Sequence, residues 1–335
     1  MEAPVEGFDC HWNVYAQQLF RRGLGYPLWD PEPRVEEGEV LIGDVGYLDE
    51  GRFYRICNAM RDANDSTQIC VPPGFKKLDL RSTPRAEATA VPEGPLFSQT
   101  VHRVMEKGTV GSHGANVAFQ CVCTGQQGAL AILGTPGKHE VMQQSREMVE
   151  HMKENIDIWH LGATLSGIGA RDMVAIEDIL FVRGWVKTSC WAAVAFAEDS
   201  RGEKLTFNGD LGLPAYAAFE TQRGRRPTSE EALSNSVVDT EPVEDESDGN
   251  TDRSKPYDPV VFILDYILKN SEANVAIASD FDLIRLCKGR TDDEYPIPDD
   301  IPKFLEETKP PVNVTEDGLG TLFDEATEMH LATEG

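Results

Sequence analysis

Residues 39–57 read EVLIGDVGYLDEGRFYRIC, and this stretch decides the class of fold. Two runs rich in β-branched and aromatic residues flank the triplet Asp49-Glu50-Gly51. A short loop that contains glycine between two such runs is typical of a β-hairpin. The sequence therefore predicts antiparallel strands on both sides of the triplet. Gly43 and Gly46 are expected to permit a bulge or a close backbone approach.

Downstream of the hairpin, the pattern of apolar residues changes from strands to one long helix. Strands are predicted over 96–107, 116–124 and 129–133, which we interpret as an antiparallel meander. Between Lys138 and Thr164 the apolar side chains recur at helical spacing, which predicts an amphipathic helix packed on a face of the sheet. The stripe consists of Val141, Ser145, Met148, Met152, Ile156 and Trp159. The predicted fold class is therefore α+β.

Further elements follow the long helix. Asp178–Val186 is apolar on both faces apart from Arg183, which predicts a central strand. Closer to the C-terminus, Pro259–Asn270 and Asp280–Cys287 have helical patterns, the second with an Asp or Ser cap. These C-terminal elements are too few to fold alone, so we expect them to dock on the main body.

Composition divides the chain into a folded body and acidic segments. Residues 228–252 carry nine acids and no base, with polar residues filling the gaps, and such a segment cannot bury enough apolar surface to order itself. The predicted organisation is an N-terminal tail (1–11), a main α+β domain (12–221), an acidic disordered linker (222–256), a small helical appendage (257–290) and an acidic, proline-rich disordered tail (291–335).

The charge balance excludes some classes of function. The chain has 31 Lys and Arg against 57 Asp and Glu, which gives a net charge of −26. Such a field repels polyanions, so neither nucleic acid nor an anionic membrane surface is an expected partner. Most of the excess lies in 228–252 and in 291–335, which carries thirteen acids and two lysines. The exclusion is therefore weaker for the predicted body.

The termini and the cysteines indicate the compartment. The first residues, MEAPVEGFDCHW, have neither a basic region nor an apolar run of the kind found in secretory signals. No apolar run approaches the ~18 residues of a membrane span. The seven cysteines are scattered and are expected to be free thiols. These observations predict a soluble protein in a cytoplasmic or nucleocytoplasmic location.

Few residues of the sequence match a known metal-binding, phosphate-binding or catalytic motif. Cys121 and Cys123 share one strand face without a CxxC, HExxH or zinc-finger pattern, so no metal and no cofactor are predicted. Neither a GxSxG elbow nor a phosphate-binding loop is present in the sequence. Cys190, His160 and Asp178 are weak candidates for a catalytic triad, because no pattern in the sequence shows that they meet.

A rigid aromatic segment supplies candidate interaction residues. Gly25-Tyr-Pro-Leu-Trp-Asp-Pro31 is held by two prolines, which should fix the positions of Tyr26 and Trp29. Packing at the edge of a core is the favoured role of these rings, and ligand stacking is the alternative. Lys187 and Trp191 are further candidate interaction residues.

Five blocks carry a resemblance to a known group of sequences. They are Gly25-Tyr-Pro-Leu-Trp-Asp-Pro31, Ile42-Gly-Asp-Val-Gly-Tyr47, Gly51-Arg-Phe-Tyr54, Ile158-Trp159 and Asp178-Ile-Leu-Phe-Val-Arg-Gly-Trp-Val-Lys-Thr-Ser-Cys-Trp-Ala192. With these blocks the chain resembles a large group of proteins from mushroom-forming basidiomycete fungi to which no activity is assigned. The resemblance covers roughly residues 12–220, implies an intracellular setting in such a fungus and transfers no catalytic residue.

Three functions are compatible with these observations. The leading hypothesis is a soluble intracellular interaction module without catalytic activity, which binds an unknown protein partner. A gasdermin-like, pore-forming cell-death effector is the alternative, because a releasable acidic tail would suit it, and only this alternative implies a membrane partner. An enzyme that depends on Cys190 or on the histidines is the third hypothesis.

Overall fold

A computed structural model of the chain describes residues 10–34, 38–80, 86–111, 114–166, 174–196, 201–202, 204–210, 218–222, 255–289 and 294–322. Helices and mostly antiparallel sheets make up these residues, so the chain has the predicted α+β class. Residues 1–9, most of the predicted linker and the tail from 323 onward lie outside the described residues. The helices are α1 His11–Phe20, α2 Arg146–Ser166, α3 Pro259–Lys269, α4 Asp280–Leu286 and α5 Ile301–Thr308.

The strands form five small sheets. In order along the sheets these are β2-β1-β9, β10-β8-β3, β11-β7-β4, β13-β12-β6-β5 and β14-β16-β15. The strands are β1 Asp44–Asp49, β2 Arg52–Asn58, β3 Ala86–Val91, β4 Gly94–Phe97, β5 Val101–Gly111, β6 Gly114–Cys123, β7 Gly128–Leu133, β8 Gly137–Met142, β9 Leu180–Phe181, β10 Gly184–Lys187, β11 Trp191–Phe196, β12 Lys204–Asp210, β13 Ala218–Gln222, β14 Val275–Ala276, β15 Asn313–Val314 and β16 Leu319–Thr321.

The chain divides into two compact units, and each unit is assembled from three separate stretches. Unit 1 consists of Met1–Leu19, Ala90–Gly137 and Lys187–Tyr257. Unit 2 consists of Phe20–Thr89, Lys138–Val186 and Asp258–Gly335. Residues 12–221, which were predicted to form a single main domain, are therefore distributed over both units. Contacts between residues far apart in sequence define the units.

The predicted hairpin is formed by β1 and β2 in unit 2. The register of the two strands shifts between Val45 and Gly46, as in a β-bulge. A Cβ atom at Gly46 would lie 2.1 Å from the Tyr54 carbonyl oxygen, so only glycine fits. Both the bulge and the close approach expected of these glycines are confirmed.

A buried polar network fixes the start of this hairpin. Asp44 is fully buried, and its Oδ2 lies 2.8 Å from Nη2 of Arg55, which is 4 % exposed. The same carboxylate accepts hydrogen bonds from the Leu41 N–H at 2.6 Å and from Asn58 Nδ2 at 2.8 Å. The Asn58 amide in turn donates to the Ile42 carbonyl at 3.0 Å. Both carboxylate oxygens of the buried Asp44 therefore have hydrogen-bond partners, as burial of a charge requires.

Helix α2 packs against this hairpin, as predicted. Met148 and Trp159 are buried in the same apolar core as Val45, Tyr47 and Ile56. At Gly162 a Cβ atom would lie 2.9 Å from Ile56, so the glycine lets the helix approach the strand closely. One face of α2 therefore covers the hairpin and completes this core of unit 2.

The first part of the predicted helix is a strand instead. Residues Gly137–Met142 form β8, and α2 begins only at Arg146. The Met142 N–H donates to the Arg183 carbonyl at 2.8 Å, which ties β8 to a neighbouring segment. Ser145 Oγ then accepts the Met148 N–H at 3.3 Å in the manner of a helix cap. The apolar spacing continues through both elements, so it could not show that the first of them is a strand. Backbone pairing with the neighbouring segment decides the structure there.

The central strand predicted over Asp178–Val186 is divided into three short pieces. A 3₁₀ turn, Ile176–Asp178, precedes β9, and β10 then pairs in a different sheet from β9. At Gly184 a Cβ atom would lie 2.7 Å from the Glu140 carbonyl oxygen, so the chain crosses closely at the change of sheet. The uninterrupted apolar pattern could not show this change, because both pieces are equally apolar.

Unit 1 builds its core from two sheets. Strand β5 pairs with β6, whereas β7 pairs with β4 and β11. Cys121 and Cys123 are fully buried in this core, in line with the side-chain alternation along their strand. The core consists of Val101, Cys121, Cys123, Leu130, Ile132, Val194, Phe196 and Leu205.

The C-terminal part of unit 2 is more ordered than its composition predicts. Helices α3 and α4 appear where expected, and α4 opens at the Ser279 cap. Residues 294–322, which were predicted to belong to a disordered tail, contain α5 and two strands. Ile297, Ile301 and Leu305 recur at intervals of four, and all three are buried with Phe20 in one apolar core. Pro302 lies in the first turn of α5, where proline is tolerated. The proline content of this segment therefore did not exclude a helix, and the prediction of disorder was wrong.

Candidate functional site

The three candidate catalytic residues are divided between the two units. His160 on α2 lies with Nε2 2.7 Å from the Val174 carbonyl oxygen. Asp178 accepts the Ala175 N–H at 3.1 Å and closes the 3₁₀ turn. Both belong to unit 2, whereas Cys190 belongs to unit 1. The hydrogen bonds of His160 and Asp178 to backbone groups are those of residues that hold a chain reversal in place.

Cys190 lies in a turn that hydroxyl groups hold together. Its carbonyl accepts the Gly134 N–H at 2.8 Å, and a Cβ atom at Gly134 would lie 2.4 Å from the Cys190 sulfur. Thr188 Oγ1 donates to the Cys190 carbonyl at 3.1 Å and lies 2.8 Å from Thr135 Oγ1. The thiol is thus packed against backbone in a structured connection between β10 and β11.

The four candidate interaction residues are divided between the units. Tyr26 and Trp29 are half-buried in unit 2, and Lys187 and Trp191 are half-buried in unit 1. The segment that carries the first pair lies along the turn of the β1–β2 hairpin. The Asp30 N–H donates to the Gly51 carbonyl at 3.1 Å, and the Asp30 carboxylate forms an ion pair with Arg52. Tyr26 and Trp29 therefore belong to a segment that covers the hairpin turn.

A small cavity lies beside this segment. Its volume is about 20 Å³, and its lining includes Asp30, Arg34 and Arg52. A space of this size holds about one water molecule. It is therefore too small to bind a substrate of ordinary size.

The strongest candidate site is the place where an acidic, proline-rich segment binds to the residues after α1. We call Glu294-Tyr-Pro-Ile-Pro-Asp299 the docked segment, and Arg21, Arg22 and Gly23 the receiving surface. At its centre the Ile297 N–H donates to the Arg21 carbonyl at 3.2 Å, and Arg21 Nε donates to the Ile297 carbonyl at 3.3 Å. The Ile297 side chain is fully buried.

The flanks of the docked segment meet the two arginines. Arg22 Nη1 lies 3.1 Å from Glu294 Oε1, and its guanidinium lies 5.4 Å from the centre of the Tyr295 ring. Arg21 Nη1 lies 3.4 Å from Asp299 Oδ1. The arginine side chains are 13 and 16 % exposed, whereas the acids are 70 and 60 % exposed, so the ion pairs lie at the rim of the site.

Two further cations bind the C-terminal part of unit 2. Lys153 on α2 forms an ion pair with Asp317 and donates to its carbonyl at 3.1 Å. The hydrogen bond from Lys153 is the largest cause that lowers the pKa of Asp317 to about 2. The Arg183 guanidinium lies 4.5 Å from the centre of the Phe281 ring at the start of α4. Cations from three parts of unit 2 therefore face acidic or aromatic residues of the C-terminal stretch.

Sequence reasoning did not find this site. The charges were visible, but 272 to 278 residues separate the partners of each pair. One signal of a binding segment was available in the sequence, namely an isoleucine between two prolines that acids flank. Such a pattern combines an apolar anchor with a stiff backbone.

The buried carboxyl of Asp282 makes the free energy of unfolding of the C-terminal part of unit 2 dependent on pH. Burial raises the pKa of Asp282 to about 6, against the opposing effects of the Ser279 N–H, Arg183 and Arg285. The unfolded value is near 4, so the folded protein binds the proton more tightly. The free energy of unfolding contributed by this carboxyl therefore falls as the pH rises from about 4 through 6.

The Asp282→Asn variant is therefore expected to be more stable than the wild type at pH 7.5 by about 1–3 kcal/mol, and to lose most of this advantage at pH 4.5. The amide oxygen can still accept the Ser279 N–H, which Asp282 accepts at 2.7 Å. Urea denaturation of both proteins across this pH range measures the difference. A variant less stable than the wild type at pH 7.5 would contradict the sign, and Asp157→Asn, at an exposed position on α2, is the control.

Comparisons of the chain with known proteins found no relative. No protein family, curated protein or solved structure matches the chain. Among the described residues, no group of three or more His, Cys, Asp or Glu side chains could hold a metal ion. No helix in the described part of the chain is long and apolar enough to cross a membrane.

Proposed function

We propose that this protein is a soluble, intracellular interaction module without catalytic activity, and that its C-terminal stretch occupies its binding site until a protein partner displaces it. The observation that carries the proposal is the docked segment on the receiving surface. A short stretch binds there by one buried anchor, two hydrogen bonds to the backbone of that anchor and flanking ion pairs. These are the features by which proteins recognise peptides of other proteins.

The energetics support reversible binding. Ion pairs as exposed as those of Glu294 and Asp299 contribute about 0–1 kcal/mol each, and salt weakens them further. Local openings that cost less than global unfolding are common for segments with few buried contacts. The docked segment is held mainly by Ile297 and by screened charges, and α5 behind it by Ile301 and Leu305. Release of 294–308 therefore exposes three buried aliphatic side chains, fewer than an opening of the hairpin core would expose.

Hydrogen exchange of the full chain tests this proposal. Amides of 294–308 are expected to exchange through a local opening, at a lower free energy than amides of the β1–β2 hairpin. Arg22→Glu and an increase from 0.05 to 0.5 M salt should each accelerate this exchange several-fold, because both remove the attraction to Glu294. Peptide-resolved mass spectrometry measures the rates.

Lys77→Glu is the matched control for charge reversal. Lys77 forms an exposed ion pair with Asp62 at 3.1 Å elsewhere in unit 2, so its reversal should leave the exchange of 294–308 unchanged. If 294–308 and the hairpin exchange at the same free energy in every condition, the segment is an integral part of the fold and the proposal fails.

A further inference from the structure

We infer that the receiving surface recognises, in a partner protein, an acidic peptide whose centre is proline–aliphatic–proline. This inference rests on the proposed function and names the ligand class of the same site. The docked segment is then an internal copy of the ligand. Five of its six positions, all but Pro298, meet a feature of the surface.

The central isoleucine is selected by its side chain and by its backbone. Its side chain is fully buried in an apolar core that includes Phe20, Ile263 and Leu283. Its N–H and carbonyl both bind Arg21, at 3.2 and 3.3 Å. An aliphatic residue satisfies this arrangement, whereas a charged residue would leave its charge buried.

The flanking prolines suit the surface because they bring no further N–H groups. Proline lacks a backbone donor and has a fixed φ, so a Pro-Ile-Pro stretch presents one N–H and loses little entropy on binding. Gly23 has a φ of +67°, and a Cβ atom there would lie 3.1 Å from Cγ of Pro296. The glycine thus leaves the space that the proline ring occupies.

The two arginines select acids on both sides of the anchor. Arg22 contacts Glu294 at 3.1 Å and the Tyr295 ring, and Arg21 contacts Asp299 at 3.4 Å. Charge complementarity of this kind sets specificity and orientation more than affinity. The surface therefore favours an acidic peptide over a neutral or basic one with the same anchor.

A labelled peptide of residues 294–300, EYPIPDD, tests the inference by fluorescence anisotropy with full-length protein. The variant Glu294→Lys/Asp299→Lys weakens the internal segment and keeps the receiving surface intact, so it should bind the peptide at least about tenfold more tightly than the wild type. The Ile297→Asp peptide should bind at least about tenfold more weakly to the same variant. Full-length Ile297→Asp, checked for folding by circular dichroism, is the second way to vacate the site.

A charge-swap experiment separates recognition from nonspecific attraction. Full-length protein with Arg21→Glu/Arg22→Glu alone repels its own acidic segment, and it should prefer the peptide that carries lysines at 294 and 299 to the native peptide. No preference in either protein overturns the inference. If 294–308 opens in hydrogen exchange and no peptide binds, the inference fails while the proposed function stands. A wild-type dimer in sedimentation that the peptide does not dissociate assigns the surface to a second copy and also overturns it.

Discussion

Replacement of Asp44 by alanine is expected to lower the free energy of unfolding by about 3–5 kcal/mol, because the change leaves a buried charge without its partner. Arg55 is 4 % exposed and would lose its carboxylate, and the Leu41 N–H would lose the acceptor that it now has at 2.6 Å. Burial raises the pKa of Asp44, and the Leu41 N–H, Arg55 and Asn58 offset this effect only in part. Urea denaturation at pH 7 measures the loss.

Two variants define the cause of this loss. Asp62→Ala removes an exposed carboxylate that pairs with Lys77 at 3.1 Å, and a change within about 0.5 kcal/mol is expected there. Arg55→Met added to Asp44→Ala should recover part of the stability, because it removes the unpaired charge. A loss below 1 kcal/mol for Asp44→Ala alone would show that the network does not stabilise the hairpin.

The Trp159→Ala variant is expected to lose about 3–5 kcal/mol, the usual cost of removing a buried large aromatic side chain. Trp159 is 1 % exposed and lies 6.3 Å from the ring of Phe181, in the core that α2 shares with the hairpin. Thermal and urea unfolding with a near-ultraviolet probe would both report the change.

Leu161 offers a matched control on the same helix. It lies two residues further along α2 and is 45 % exposed, so Leu161→Ala should change stability by no more than about 0.5 kcal/mol. Equal losses for Trp159→Ala and Leu161→Ala would mean that α2 does not bury the face described here.

Local signals in the sequence predicted the fold class well. The hairpin, its bulge glycine, α2 and α4 with its Ser279 cap each follow from turn chemistry, periodicity or capping, which act over a few residues. The long helix was extended too far toward Lys138, since apolar spacing alone could not show that β8 pairs with another strand.

Long-range pairing was beyond the reach of the sequence. The receiving surface and the docked segment are some 270 residues apart, and only the fold joins them. Composition also predicted disorder for residues that form α5, because acids and prolines dominate the count while Ile297, Ile301 and Leu305 supply the buried face. Similarly, nothing in the sequence could place Cys190 in unit 1 and His160 in unit 2.

The discontinuous composition of unit 2 has a consequence for synthesis on the ribosome. Phe20 leaves the exit tunnel long before Ile297, and at the usual rate of elongation the interval is roughly tens of seconds. For most of that time the ring has none of its C-terminal core partners, since all of them lie beyond residue 258. The elongation rate, rather than the affinity of the docked segment, therefore sets the earliest moment at which this core can close.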